Sequence, residues 1–182
     1  GLGTWAWGDK FTWGMGGYDA DLSERTIREA WDASLDAGVT FIDTADVYSD
    51  GASEEVLGAA LEGRRDEVLI STKAGLPMGD GPNDVGLGRA HLSRALEASL
   101  RRLRVDHVDL YQAHAWDPLT PIEETLGFFA DAVRVGKIRY AGVSNFLGWQ
   151  LQKAALLAAD AAPIVTLQPQ YNLLVRDIEL EI

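Results

Sequence analysis

Four side chains in this sequence are of types that together could move a proton: Asp43, Tyr48, Lys73 and His114. A tyrosine can serve as a general acid, but a free phenol has a pKa of about 10. Proton delivery near neutral pH is easier when that value falls, and an adjacent ammonium lowers it by favouring the phenolate. Lys73 is the candidate for that ammonium and Asp43 for the carboxylate that fixes it. His114 is the candidate for a hydrogen-bond donor to a substrate oxygen. Each residue also has an ordinary explanation. Asp43 can cap a turn, Tyr48 can be a half-buried packing residue, and His114 can be a satisfied core histidine. Lys73 is the most telling, because a lysine ending an apolar strand is costly without a partner. The four carry weight as a set. His91 and His107 receive no role.

The elements that must position them alternate in type. Leu2–Trp7, 39–45, Val68–Lys73, Val105–Ala113, Ile138–Val143 and Val165–Pro169 read as strands, rich in β-branched and aromatic residues. Between them, apolar residues recur at helical spacing. Ile27, Ala30, Trp31, Ser34 and Leu35 follow an N-cap at Ser23; Ser53–Glu62 has acidic residues in its first turn; Leu92, Ala95, Leu96, Ser99, Leu100 and Leu103 share one face. Thr120-Pro121-Ile122-Glu123 has the spacing of a capping box with proline at the first helical position. Leu147–Ala159 is a further helix, and Arg176 opens another. Two long loops interrupt the pattern: Gly8–Leu22 with four glycines, and Ala74–Gly88 with five glycines and two prolines.

Strict alternation of strand and helix predicts a parallel sheet with helical crossovers. A doubly wound open sheet and a (β/α)8 TIM-type barrel compete. Asp43, Lys73, His114, Asn145 and Gln168 each fall at or near the C-terminal end of a different strand. A ring of strand ends that each supply one polar residue is the barrel arrangement, whereas an open sheet gathers its site at a switch point. The chain thus reads as about the first six βα units of a barrel, one domain over residues 1–182. It opens inside a strand and stops inside a helix, so it reads as truncated at both ends. Gly1-Leu2-Gly3-Thr4-Trp5-Ala6 formally fits G-x-G-x-x-A, but that fingerprint needs a strand before it and a helix after it. The glycine-rich residues that follow deny it the helix.

The bulk chemistry narrows the function. The formal net charge of −12 over 182 residues disfavours nucleic acid and anionic membranes as partners. With no cysteine, disulfides and thiolate metal sites are excluded. No apolar run approaches the roughly 18 residues needed to span a bilayer. No set of residues has metal-ligand spacing.

In this frame the sequence resembles the aldo-keto reductases. Phe41-Ile42-Asp43-Thr44-Ala45-Asp46-Val47-Tyr48, continued by Ser53-Glu54-Glu55-Val56-Leu57-Gly58, is similar to the family's signature after its second strand. Ser71-Thr72-Lys73 resembles its lysine strand, and Asp109-Leu110-Tyr111-Gln112-Ala113-His114 its histidine strand. Gly136–Phe146 and Gln168-Pro169-Gln170-Tyr171-Asn172 are similar to its fifth and sixth strands, and Gly1-Leu2-Gly3-Thr4-Trp5 to its first. The resemblance implies a cytoplasmic enzyme that reduces aldehydes or ketones with NADP(H). Tyr48 would be the proton donor, tuned by Lys73, with Asp43 paired to Lys73 and His114 orienting the carbonyl. Ser144, Asn145 and Gln168 would hold the nicotinamide carboxamide; Thr4 and Trp5 would line the cofactor and substrate pocket, and Trp116 would face the substrate. The same fold also occurs in potassium-channel β subunits, so a cofactor-binding regulatory subunit is the second reading. Two departures bear on the pocket. Ala113 and Ala115 flank His114 with small residues, and the loop over residues 158–164 is short. The family's seventh and eighth strands, which carry the groups that read the adenosine 2′-phosphate, have no counterpart here.

Overall fold

The computed structural model describes residues 1–8, 24–158 and 162–182. The expected loop beyond Gly8, the Ser23 cap and the middle of the short loop before the sixth strand lie outside the described residues.

Six strands and five α-helices alternate among the described residues: β1 (Leu2–Gly3), α1 (Glu24–Asp36), β2 (Phe41–Asp43), α2 (Ala52–Ala60), β3 (Leu69–Ala74), α3 (Arg89–Leu103), β4 (Val108–Ala113), α4 (Ile122–Arg134), β5 (Ile138–Ser144), α5 (Gly148–Leu157) and β6 (Ile164–Gln168). Every neighbouring pair of strands is parallel, and the sheet order is β1-β2-β3-β4-β5-β6. Sequential order with no reversal decides between the two architectures. A doubly wound sheet reverses direction at a switch point, and this one never does. The molecule is a half-barrel, a partial (β/α)8 barrel.

Residue alternation along the strands divides the sheet into two faces. Ile42, Ile70, Tyr111, Val143 and their neighbours point outward and are buried with Trp31, Leu57, Leu92, Leu96 and Phe129 of the helices. Each side chain of this size taken fully out of water contributes about 1.5–3 kcal/mol. The inward face is polar toward the C-terminal strand ends and apolar below them, where Phe41, Leu69, Leu110 and Tyr140 lie. Lys73, Gln112, Gly142 and Thr166 lie in one register row across β3 to β6. Beneath the strand ends the concave side holds a cavity of about 480 Å3 bordered by Asp43, Gln112, Thr166 and Gln168, among others.

Several element boundaries differ from expectation, each for a local reason. The first strand ends at Gly3, not Trp7, because the Trp7 N–H bonds the Thr4 carbonyl at 2.9 Å and closes a turn. The second starts at Phe41, since the Val39 N–H is taken by the Ser34 carbonyl at the end of α1. The expected capping box does not form. Pro121 itself sits at the N-cap of α4, and the Thr120 hydroxyl donates to Asp117 Oδ2 at 2.6 Å. Helix α5 instead uses Gln150, whose Oε1 accepts the Leu147 N–H at 2.8 Å. The helix expected from Arg176 is a single 3-10 turn, Asp177–Leu180. Arg176 has φ −131°, outside the helical region, and just before it the Asn172 side chain accepts the N–H groups of Leu174 and Val175.

Candidate active site

The C-terminal ends of β2 to β6 bring together the polar residues that the sequence scatters over 126 positions, from Asp43 to Gln168. Lys73 is the hub. It is only 1% exposed, and its ammonium donates to Asp43 Oδ1 at 2.9 Å, Asp43 Oδ2 at 2.8 Å, the Thr44 carbonyl at 2.9 Å and Tyr48 Oη at 3.1 Å. A buried ammonium is tolerated only with such a shell. Lys73 Nζ also stands 4.9 Å from the centroid of the Tyr48 ring. His114 packs edge-on against Tyr48, with ring centroids 5.9 Å apart. Asp43, Tyr48, Lys73 and His114 thus form one contiguous group.

The electrostatics of His114 follow from its surroundings. Burial, and then the Lys73 ammonium, push its pKa from 6.5 down to about 4, against a smaller opposing pull from Asp43. The ring is neutral at neutral pH. Its Nδ1 is buried and has no hydrogen-bond partner among the described residues.

The backbone is strained where the site is built. Four non-glycine residues among those described have left-handed φ, and three adjoin the site: Ser49 (53°), Asp50 (52°) and Asn145 (54°). Ser49 and Asp50 follow Tyr48 directly, in a turn that Gly51 (φ 92°) completes. A Cβ on Gly51 would stand 2.9 Å from Arg102 Cδ, so this corner admits only glycine. Left-handed non-glycine residues cost about 1–2 kcal/mol each. They persist where surrounding contacts over-determine them, and such places cluster at functional sites.

Ser144, Asn145 and Gln168 meet at the ends of β5 and β6. The Ser144 hydroxyl donates to the Gln168 carbonyl at 2.7 Å, and Asn145 Nδ2 donates to Ser144 Oγ at 3.0 Å and to the His114 carbonyl at 3.1 Å. Gln168 Nε2 donates to Asp43 Oδ2 at 3.1 Å, across the half-barrel. Asn145 Oδ1 and the second N–H of the Gln168 amide carry no hydrogen bond among the described residues. That leaves one acceptor and one donor, the complement of a primary carboxamide. The residues present therefore fit a nicotinamide.

The remaining expected residues are spread more widely. Trp116 is half-buried in an aromatic cluster with Phe146 (centroids 5.2 Å) and Trp149 (5.4 Å), two residues beyond His114. Trp5 is 48% exposed on the turn after β1. Thr4 is fully buried; its hydroxyl pairs with Ser53 Oγ at 2.8 Å and bonds the Asp43 carbonyl at 3.2 Å. The structure does not bring Thr4's hydroxyl into the same group as Ser144 and Asn145.

Other polar residues complete the site without having been singled out from the sequence. Gln112 is buried and donates from Nε2 to Gln168 Oε1 at 2.9 Å and to Ser71 Oγ at 3.1 Å. It thereby orients the amide that reaches Asp43. The signal was available: a glutamine in an apolar strand, two residues before the histidine. Behind the site, Asp46 is 1% exposed and neither carboxyl oxygen is paired with a side chain among the described residues. Burial, and then the Glu54 carboxylate, push its pKa from 3.8 up to about 7.

Comparisons with known proteins give the family. The profile of the Aldo/keto reductase family matches residues 1–182. Aldo-keto reductase YhdN of Bacillus subtilis (strain 168) is 44% identical over 181 residues, covering 98% of this chain and 51% of that protein. A putative voltage-gated potassium channel subunit beta of Schizosaccharomyces pombe is 37% identical over 183 residues, covering 97% of this chain and 50% of that protein. The crystal structure of a thermostable aldo-keto reductase, Tm1743, with the inhibitor epalrestat superposes with a TM-score of 0.82 at 38% identity, covering all of this chain and 61% of that one. The chain spans about half the length of these curated relatives. No helix among the described residues is long and apolar enough to cross a membrane. With the half-barrel, the grouped strand-end residues and a family match over its whole length, the chain belongs to the aldo/keto reductase family.

Proposed function

We propose that this chain carries the catalytic face of an NADPH-dependent carbonyl reductase, which converts small aldehydes or ketones to alcohols. The observation that carries the reading is the Lys73 ammonium, buried, bound to Asp43 on one side and donating to Tyr48 Oη on the other. That arrangement stabilises negative charge on the phenol oxygen as its proton leaves. A reduced nicotinamide, once bound, supplies the hydride; the protein supplies orientation and electrostatics.

Tyr48 gives its proton to the carbonyl oxygen as that oxygen becomes an alkoxide. Lys73 holds the resulting phenolate, and Asp43 holds Lys73. Neutral His114 carries one N–H; with the proton on Nε2 it donates to the same substrate oxygen and fixes which face of the carbonyl is presented. Asn145 and Gln168 hold the carboxamide of the cofactor, steadied by Ser144 and Gln112. Trp5 and Trp116 border the pocket that takes the substrate, and Thr4 contributes by anchoring the Asp43 backbone behind it. The preference for NADPH over NADH belongs to this proposal and rests on the family resemblance.

The test is oxidation of NADPH and NADH by the full-length protein with a panel of aliphatic and aromatic aldehydes, alongside cofactor affinity by fluorescence. Turnover with saturable aldehyde dependence, faster with NADPH, is expected. A second reading has one observation in its favour, the 37% identity to a protein named as a channel β subunit. Tight NADPH binding with no turnover on any aldehyde would move the assignment to that regulatory role.

A further inference from the structure

We propose that Asp117 is a positioning residue that joins the two segments framing the carbonyl side of the site, so that it governs how the substrate fits and not how fast it reacts. This rests on the reductase reading above. One segment is the loop over residues 75–88, which leaves the C-terminal end of β3 just after Lys73. The other follows β4 and carries His114 and Trp116.

The Asp117 carboxylate spans the two. Its Oδ2 accepts the Leu87 N–H at 2.8 Å from the first segment and the Thr120 hydroxyl at 2.6 Å from the second. Its Oδ1 accepts the Leu119 N–H at 2.8 Å. Three donors on one carboxylate are more than a surface aspartate needs. They hold it ionised: burial alone would raise its pKa, but the bonds from Thr120, Leu87 and Leu119 outweigh that and keep it below the usual carboxylate range.

The loop is shaped to receive this group. Its ends are drawn together by the Gly86 N–H on the Gly75 carbonyl at 2.9 Å. Gly86 has φ 92°, and a Cβ there would stand 2.7 Å from Asp117 Oδ2. Glycine is thus required both by the backbone and by the approach of the carboxylate. Two neighbouring latches fasten the same stretch to α4: Thr125 Oγ1 donates to the Leu87 carbonyl at 3.0 Å, and the Arg89 N–H donates to Glu124 Oε1 at 2.8 Å. Leu87 is consequently held through both its N–H and its carbonyl. Asp117 is the member of this set adjacent in sequence to Trp116, so its bonds fix the loop against the segment that carries the pocket's aromatic wall. Its hydrogen bonds go to Leu87, Leu119 and Thr120 and not to Asp43, Tyr48, Lys73 or His114.

Asp117→Ala and Asp117→Asn separate the alternatives in the full-length protein, with p-nitrobenzaldehyde as substrate. For Asp117→Ala, KM for the aldehyde is expected to rise about tenfold, with kcat and NADPH affinity each within about twofold of wild type. Asp117→Asn keeps one acceptor oxygen and should fall between. Hydrogen exchange should quicken at the Leu87 and Leu119 amides in the alanine variant. A lower Tm with unchanged KM would make Asp117 merely structural and overturn the proposal, as would a fall in kcat or cofactor affinity at unchanged KM. Absence of turnover in the wild type would sink the reductase reading separately. The exchange rates would then decide the clamp: unchanged rates at Leu87 and Leu119 overturn it, and faster rates confined to those segments uphold it.

Discussion

Lys73 and Thr72 are consecutive in β3 and so project to opposite faces of the sheet. On the inner face, Lys73 meets Asp43 and Tyr48. On the outer face, the Thr72 hydroxyl donates to Glu54 Oε1 at 2.6 Å, and Arg102 Nε donates to Glu54 Oε2 at 2.8 Å. Both regions pair a cation with a carboxylate out of water. The outer one is closed: Glu54 is fully buried and both of its oxygens are taken by protein. The inner one is open, because the shell around Lys73 ends on Tyr48, a half-buried phenol at the mouth of the half-barrel. On the proposed function, what sets the inner pair apart is a polar atom left facing accessible space, beside a carboxylate that is 18% exposed where Glu54 is fully buried.

The largest effect expected from breaking this comparison lies on the closed side. Arg102→Met leaves Glu54 as an unpaired buried charge and should cost about 3–5 kcal/mol in denaturant unfolding, while kcat per folded molecule stays at the wild-type value. A drop in kcat would mean that the two sides are coupled.

Asp46 sharpens the contrast through pH. Its folded-state pKa is about 7 against an ordinary 3.8, so the folded protein holds a proton that the unfolded chain releases. Its stability contribution is complete below pH 3.8 and disappears as the pH rises through about 7, a loss on the order of 2–4 kcal/mol. His114 acts in the opposite sense. With its folded-state pKa at about 4 against 6.5, its contribution is present above 6.5 and lost as the pH falls through about 4. Urea unfolding of Asp46→Asn between these limits should show the His114 limb alone, rising with pH. Unaltered pH dependence would show that Asp46 is not the group holding the proton.

Lys73→Met should destabilise less than Arg102→Met, by about 1–3 kcal/mol, because the Asp43 side chain it strands is 18% exposed. Unlike Arg102→Met it should abolish turnover. The smallest change is Asp50→Gly. Relief of a left-handed non-glycine residue should stabilise by about 1 kcal/mol, and any accompanying fall in kcat would show that the strained turn after Tyr48 serves catalysis.

The residues of the inner face were legible in the sequence because strand alternation and strand ends are local properties. Lys73 at the end of an apolar strand and His114 at the end of the next announce themselves by type and position. The fold followed from the same rhythm, down to the choice of barrel over open sheet. Beyond the pairing of Lys73 with Asp43 and Tyr48, contacts between distant residues were not legible. The Thr4 hydroxyl bonds Ser53, 49 residues away, a pairing no spacing rule contains. Thr120 had the spacing of a helix cap, but a carboxylate three residues earlier takes its hydroxyl. Gln112 lies in an apolar strand, and it takes the register opposite Lys73 to place it on the inward face.

The measurement closest to the central claim is Tyr48→Phe assayed for aldehyde reduction with NADPH and, separately, for NADPH binding. The account predicts that kcat falls by about 10²–10⁴-fold, the contribution of a general acid, while cofactor affinity stays within about twofold of wild type. Wild-type turnover in Tyr48→Phe would contradict the account, because the phenol to which Lys73 donates would then not be the proton source.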